Sequence, residues 1–157
     1  MIVYHGSDQE IRYPDVLHSR KRVDFGPGFY VTPIYKQAQS WASRFLRNGK
    51  PGVITEYVLD DTALELPNVL RFDEYNEEWL DYIFACRKGK VPGNYDIVMG
   101  GVANDKVFDT VELFFAGLID KTVALSRLIY EKPNYQICLR TQRIIDDYLQ
   151  FRGSEVQ

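Results

Sequence analysis

A glycine-rich run near the N-terminus constrains the fold of this chain more than any other feature. Gly26-Pro27-Gly28 is a turn signal, and Phe29-Tyr30-Val31-Thr32 directly after it is rich in β-formers. Pro33 follows and is expected to open a helix, a favoured role at the first helical position. Ala38, Trp41, Ala42, Phe45 and Leu46 then recur at helical spacing through residues 34–48, and Asn48-Gly49 closes the run. A turn, a strand and an amphipathic helix thus follow one another without a linker.

The rest of the chain continues in the same mixed pattern. Ile2 to His5 is a short strand-like run stopped by Gly6, and residues 8–22 are polar and read as loop. Val53 to Leu59 reads as a strand, and residues 60–75 are mixed. Asn76 is placed to cap a helix that carries Glu77 and Glu78 in its first turn and Trp79, Tyr82, Ile83 and Cys86 on one face. Tyr95 to Met99 is a short apolar strand closed by Gly100-Gly101. Asn104 is expected to cap a helix with Val107, Val111, Phe114 and Phe115, and a further helix is expected from Thr122 to Tyr130. Gln136-Ile137-Cys138-Leu139 is strand-like, Thr141 is expected to cap a short helix through Tyr148, and a last strand is expected over Leu149 to Arg152. The expected class is α+β, with one domain over residues 1–152 and a frayed end over 153–157.

Composition narrows the classes of function. A chain of 157 residues with 45% apolar residues fits one domain with a real core. Eleven Tyr, nine Phe and two Trp are a surplus that suits either an aromatic-lined cleft or a Tyr-rich core. A net charge of −3 argues against whole-surface attraction to nucleic acid; only His18-Ser19-Arg20-Lys21-Arg22 is locally basic. Cys86 and Cys138 lack metal-ligand spacing and read as buried thiols of a reducing compartment. No metal site is expected, and neither His5 nor His18 stands at helical spacing from a second ligand. The absence of a basic and apolar leader, and of any apolar run near the roughly 18 residues that span a bilayer, points to the cytoplasm and to no membrane. No phosphate-binding loop and no nucleophile elbow is present.

Two stretches carry chemistry: His5-Gly6-Ser7, and Phe25-Gly26-Pro27-Gly28-Phe29-Tyr30 with Trp41 eleven positions beyond Tyr30. Taken singly, a His-Gly pair is incidental, a Gly-x-Gly is a turn, and Trp41 is core. Together they resemble the signature of the ADP-ribosyltransferases of the diphtheria-toxin and poly-ADP-ribose-polymerase clade. The resemblance is close over residues 2–42, and the later part looks like a bacterial branch in which such a domain is often a toxin paired with an antitoxin. It implies a split β-sheet core with flanking helices and NAD as a substrate. It also implies residue roles. His5 would hydrogen-bond a ribose hydroxyl of the adenosine half. Gly6 would grip the carboxamide through its backbone, with Ser7 assisting. Tyr30 and Trp41 would sandwich the nicotinamide, with Gly28 and Phe29 beside them in the binding strand.

The third catalytic position is expected at the start of a late strand. Gln136 stands there, where the clade has a Glu; Glu131 and Glu112 are the other candidates. An amide holds a ribose hydroxyl by hydrogen bonds but stabilises a cation less than a carboxylate does. The plainer reading of Gln136 is a polar residue on an edge strand. Arg20 and its basic neighbours can meet the NAD diphosphate, lie in a solvated loop, or hold a nucleic-acid target. Gly100-Gly101 beside the expected cap at Asn104 is a candidate anion contact that Asp105 would oppose. The expectation is therefore mono-ADP-ribosylation of a macromolecular acceptor, protein or nucleic acid, held in check by an antitoxin protein. The alternatives are an NAD glycohydrolase and a silent domain that binds NAD, ADP-ribose or a partner.

Overall fold

The computed structural model describes residues 1–103, 105–128 and 134–157. Asn104, expected as a cap, and Glu131, a candidate for the third position, lie outside them, as do Ile129 and Tyr130 and the side chain of Asp105. The fold is α+β. In chain order it comprises β1 (Ile2–Ser7), β2 (Phe29–Val31), α1 (Tyr35–Leu46), β3 (Val53–Leu59), a 3-10 turn (Asp61–Glu65), β4 (Val69–Arg71), α2 (Glu77–Arg87), β5 (Ile97–Gly100), α3 (Asp105–Phe115), α4 (Lys121–Leu128), β6 (Gln136–Leu139), α5 (Gln142–Tyr148) and β7 (Leu149–Val156).

Two sheets form. The first has the order β1-β3-β7 and the second β2-β6-β5-β4. All pairs are antiparallel except β4 with β5. An isolated bridge between Tyr4 and Thr32 joins the sheets: Tyr4 N–H donates to the Thr32 carbonyl at 2.8 Å and Thr32 N–H returns a bond to the Tyr4 carbonyl at 2.9 Å.

Strand alternation sorts the core into layers. Val3, Tyr57 and Leu59 of the first sheet meet Phe29, Val31, Ile97, Met99, Ile137 and Leu139 of the second, with Ile144 and Ile145 of α5 closing one end. The opposite face of the second sheet, through Val98 and Cys138, packs on Trp79, Leu80 and Ile83 of α2, Val107 and Val111 of α3, and Ala124 and Leu128 of α4. Helix α1 covers the outer face of the first sheet through Ala38 and Ala42, which meet Ile54. Each large side chain buried this way is worth about 1.5–3 kcal/mol of transfer free energy.

Several local expectations need correction. Pro33 precedes the helix rather than opening it, since α1 begins at Tyr35 with Ile34 at the N-cap. Thr141 is the N-cap of α5 by position, yet its side chain makes no capping bond, and its Oγ1 is buried without a partner. The segment 153–157 does not fray: β7 runs to Val156 opposite Val53, and Gln157 N–H donates to the Gly52 carbonyl at 2.8 Å. A long strand partner outweighs terminal entropy there. Asn76 does cap α2, its side chain accepting from Trp79 N–H at 2.9 Å. No helix of the described residues is long and apolar enough to cross a membrane.

Candidate functional site

The two sheets part just beyond the Tyr4–Thr32 bridge. By the two-residue alternation of an antiparallel ladder, Gly6 turns its N–H and C=O to the same edge of β1 as Tyr4, away from β3. At that rung His5 reaches across instead, its Nδ1 lying 2.7 Å from the Tyr30 carbonyl oxygen. The imidazole also stacks on Phe29, with ring centroids 4.6 Å apart and planes at 26°. Burial lowers the His5 pKa below its ordinary 6.5, the bond to Tyr30 pulling weakly the other way. A neutral imidazole bonded to a carbonyl carries its proton on Nδ1, so Nε2 is left as an acceptor. An acceptor at that point suits a hydroxyl group.

Gly6 has a second reason to be glycine. A Cβ there would lie 2.2 Å from the Ala38 carbonyl oxygen, 2.9 Å from Ala42 N and 3.0 Å from Trp41 Cβ. Helix α1 therefore rests directly on β1, and Trp41 stands beside the open edge. Its side chain is half-buried and belongs to none of the apolar clusters of the core. Ser7 is buried and its hydroxyl donates to the Gln9 carbonyl at 2.6 Å, within the loop that leaves β1.

Tyr30 lies on the far side of the same opening. Its hydroxyl donates to the Gly26 carbonyl at 2.6 Å and accepts from Phe25 N–H at 3.0 Å, so the phenol is anchored by both hydrogen-bonding roles of its oxygen. Burial keeps the phenol neutral, with its pKa well above the ordinary value. Gly26 takes φ +76°, a conformation that favours glycine. Gly28 is required by the approach of β6: a Cβ would lie 2.5 Å from Cys138 Sγ and 2.8 Å from the Leu139 carbonyl. The space next to Gly28 is thus filled by protein. Phe29 is core, packed on Tyr57 as well as under His5.

Gln136 is not an edge residue. It opens β6, which lies between β2 and β5, and it is 4% exposed. Register puts Tyr30 opposite Cys138, so Tyr30 and Gln136 project from the same face of the sheet. Gln136 Nε2 donates to Asp24 Oδ2 at 3.1 Å and lies 3.5 Å from the Gly101 carbonyl. Asp24 is itself buried. Its Oδ1 accepts from Arg87 Nη2 at 2.7 Å and Nε at 3.2 Å, and Oδ2 accepts from Ala103 N–H at 3.3 Å. Glu112, another candidate for the third position, pairs with Arg87 at 3.1 Å and so meets Gln136 only through Arg87 and Asp24.

Two more residues escaped sequence reasoning. Gln37 is buried and grips the backbone of Tyr135, the residue before Gln136, while Thr32 Oγ1 donates to the same carbonyl at 2.7 Å. Gln37 and Trp41 are one helical turn apart and share a stripe of α1. The basic run contributes less: Arg20, Lys21 and Arg22 are exposed, and His18 pairs with Asp15 at 2.8 Å. Gly100 and Gly101 are packing positions, since Cβ atoms there would meet Phe72 and the Tyr75 ring. Cys86 and Cys138 are buried, and burial pushes their pKa values up to about 11 and about 12, so both remain thiols at neutral pH. Among the described residues no group of three or more His, Cys, Asp or Glu is placed to hold a metal ion. Two hollows, of about 170 Å³ beside Tyr4 and Tyr35 and about 610 Å³ beside Tyr13 and Phe151, are lined by other residues than His5, Tyr30, Trp41 and Gln136.

The fold and site define an α+β domain with a seam between two sheets, bordered by the His5 imidazole and the open edge of Gly6. The chain belongs to the family described as "Protein of unknown function (DUF3990)", which matches residues 1–151. No curated protein and no solved structure matches it.

Proposed function

We propose that this chain is an ADP-ribosyltransferase that binds NAD at the seam between β1 and β2. One observation carries the reading: His5 and Tyr30, 25 positions apart in sequence, meet at 2.7 Å where the sheets part, beside the open edge of Gly6. This supports the split-sheet core that the resemblance implies. In this reading the edge of Gly6 takes the carboxamide, and the rings of Tyr30 and Trp41 hold the nicotinamide by stacking. The neutral Nε2 of His5 accepts a ribose hydroxyl, and Gln136 Oε1 accepts the 2′-hydroxyl of the other ribose.

The bond from ribose C1′ to the nicotinamide nitrogen then breaks. Its electron pair leaves with nicotinamide, which departs neutral, and positive charge develops on the ribose as in glycoside hydrolysis. A nucleophile of the acceptor bonds to C1′ and loses its proton to solvent. Gln136 offers a dipole where a carboxylate would offer a charge, so stabilisation of that cation is smaller. One transfer per site on a macromolecule suits this better than chain growth. Restraint by an antitoxin protein follows from the resemblance to the bacterial toxin branch.

A second reading, a domain that binds NAD or ADP-ribose without transfer, is favoured by the neutrality of Gln136. Labelled NAD incubated with the protein and a bacterial lysate separates the two, with Tyr30→Ala as control. Label on a macromolecule, absent with the control, is expected. Nicotinamide release without label assigns the acceptor to water. NAD binding without release, read as quenching of Trp41 emission that is lost in Trp41→Phe, assigns the silent domain. No binding at all overturns the proposal.

A further inference from the structure

We infer that Asp24 is a positioning residue that fixes the amide of Gln136, and that it is the reason this position holds glutamine. The inference rests on the reading of the seam as an NAD site. The amide nitrogen of Gln136 faces the Asp24 carboxylate at 3.1 Å and the Gly101 carbonyl at 3.5 Å. Both are acceptors, so the opposite flip would set Oε1 against two oxygens. The orientation of the amide is thereby determined. Among the described residues none donates to Oε1, which is left to meet a hydroxyl group of the ligand.

Asp24 is fixed in its turn. Arg87 holds Oδ1 through two nitrogens, and Ala103 N–H meets Oδ2. A buried carboxylate held by an ion pair and two further donors is fixed against rotation. A glutamate side chain in place of Gln136 would bring a second carboxylate to about 3 Å from it, with Arg87 already shared between Asp24 and Glu112. Two such groups cannot both ionise without repulsion, and the glutamate would turn away or retain a proton. Glutamine supplies the hydroxyl acceptor and, on its other arm, the donor that Asp24 requires. The charge normally carried by the acid of this position is thereby moved back one layer, onto Asp24.

The test is a charge swap with NAD affinity as the readout. Gln136→Glu is expected to weaken NAD binding by about tenfold at pH 8, the scale of one misplaced hydrogen bond. Asp24→Asn combined with Gln136→Glu is expected to regain most of it, because the amide introduced in place of Asp24 can donate to the new carboxylate. Gln136→Glu alone should also recover relative to wild type as pH falls, the ratio of the two affinities narrowing when the two facing carboxyl groups together take up one proton. The other titratable groups facing Asp24 are Arg87 and Cys86 on α2, Tyr30 on β2 and, through Arg87, Glu112 on α3. All are common to wild type and variant. The single variant keeps the Arg87–Asp24 pair, so the pH profile remains decisive even if Asp24→Asn unfolds. Equal NAD affinity of Gln136→Glu and wild type at all pH values overturns the inference alone. A wild type that binds no NAD overturns the seam reading and with it the ligand assigned to Oε1.

Discussion

Gln37 holds Tyr135 by both backbone groups: its Nε2 donates to the Tyr135 carbonyl at 2.8 Å, and its Oε1 accepts the Tyr135 N–H at 3.1 Å. A side-chain amide here imitates a neighbouring strand, and it ties the helix that carries Trp41 to the strand that Gln136 opens. Gln37→Ala leaves the Tyr135 N–H without its acceptor and is expected to cost about 1–2 kcal/mol of stability. Gln37→Glu keeps the acceptor but sets a carboxylate against the Tyr135 carbonyl, and should cost more. Urea denaturation of the three proteins checks the order.

Gly6→Ala drives a methyl group to within 2.2 Å of the Ala38 carbonyl, a backbone atom that cannot rotate aside. Helix α1 must lift from β1. The expected loss is about 3 kcal/mol, at the upper end for overpacking. Gly153→Ala, where a Cβ meets nothing within 4 Å, should change stability by less than about 0.5 kcal/mol. Comparable losses for the two would contradict the close contact of α1 with β1.

His5 gives the fold a pH dependence with a definite sign. Its pKa is lower folded than the ordinary 6.5 of the unfolded chain, so below that value the unfolded state binds more protons. The contribution of neutral His5 is fully present above about pH 6.5 and declines as pH falls toward the folded pKa. His5→Asn should flatten stability between about pH 7.5 and pH 5. The depressed carboxylates Asp8, Glu10, Asp15 and Asp60 titrate below this window. NAD affinity should fall over the same range, because protonation removes the acceptor at Nε2.

Local pattern made the helices and most strands legible. The stripe of α1 and the cap at Asn76 follow from spacing and side-chain chemistry a few residues apart. Strand β4 was not legible: Val69–Arg71 is three residues long and is defined by its parallel partner β5. The candidate site was proposed from two short runs, His5-Gly6-Ser7 and Gly28-Phe29-Tyr30, and the structure brings His5 of one to Tyr30 of the other. Asp24 and Gln37 gave no signal, because their partners lie 112 and 98 residues away. At Gly6 and Gly28 the sequence held no sign of a packing requirement: a Cβ at either would meet backbone of the protein itself, from α1 at Gly6 and from β6, far off in sequence, at Gly28.

The bridge at Tyr4 and Thr32 gives the molecule an uneven stiffness. Each sheet is a laminate bonded along several rungs, whereas among the described residues the backbone bonds between them come down to one bridge, with His5 reaching the Tyr30 carbonyl beside it. Shear of one sheet on the other concentrates at that bridge. Amide exchange at Tyr4 and Thr32 is therefore a gauge of the opening beside Gly6, responding to what wedges or clamps it before the laminates themselves loosen.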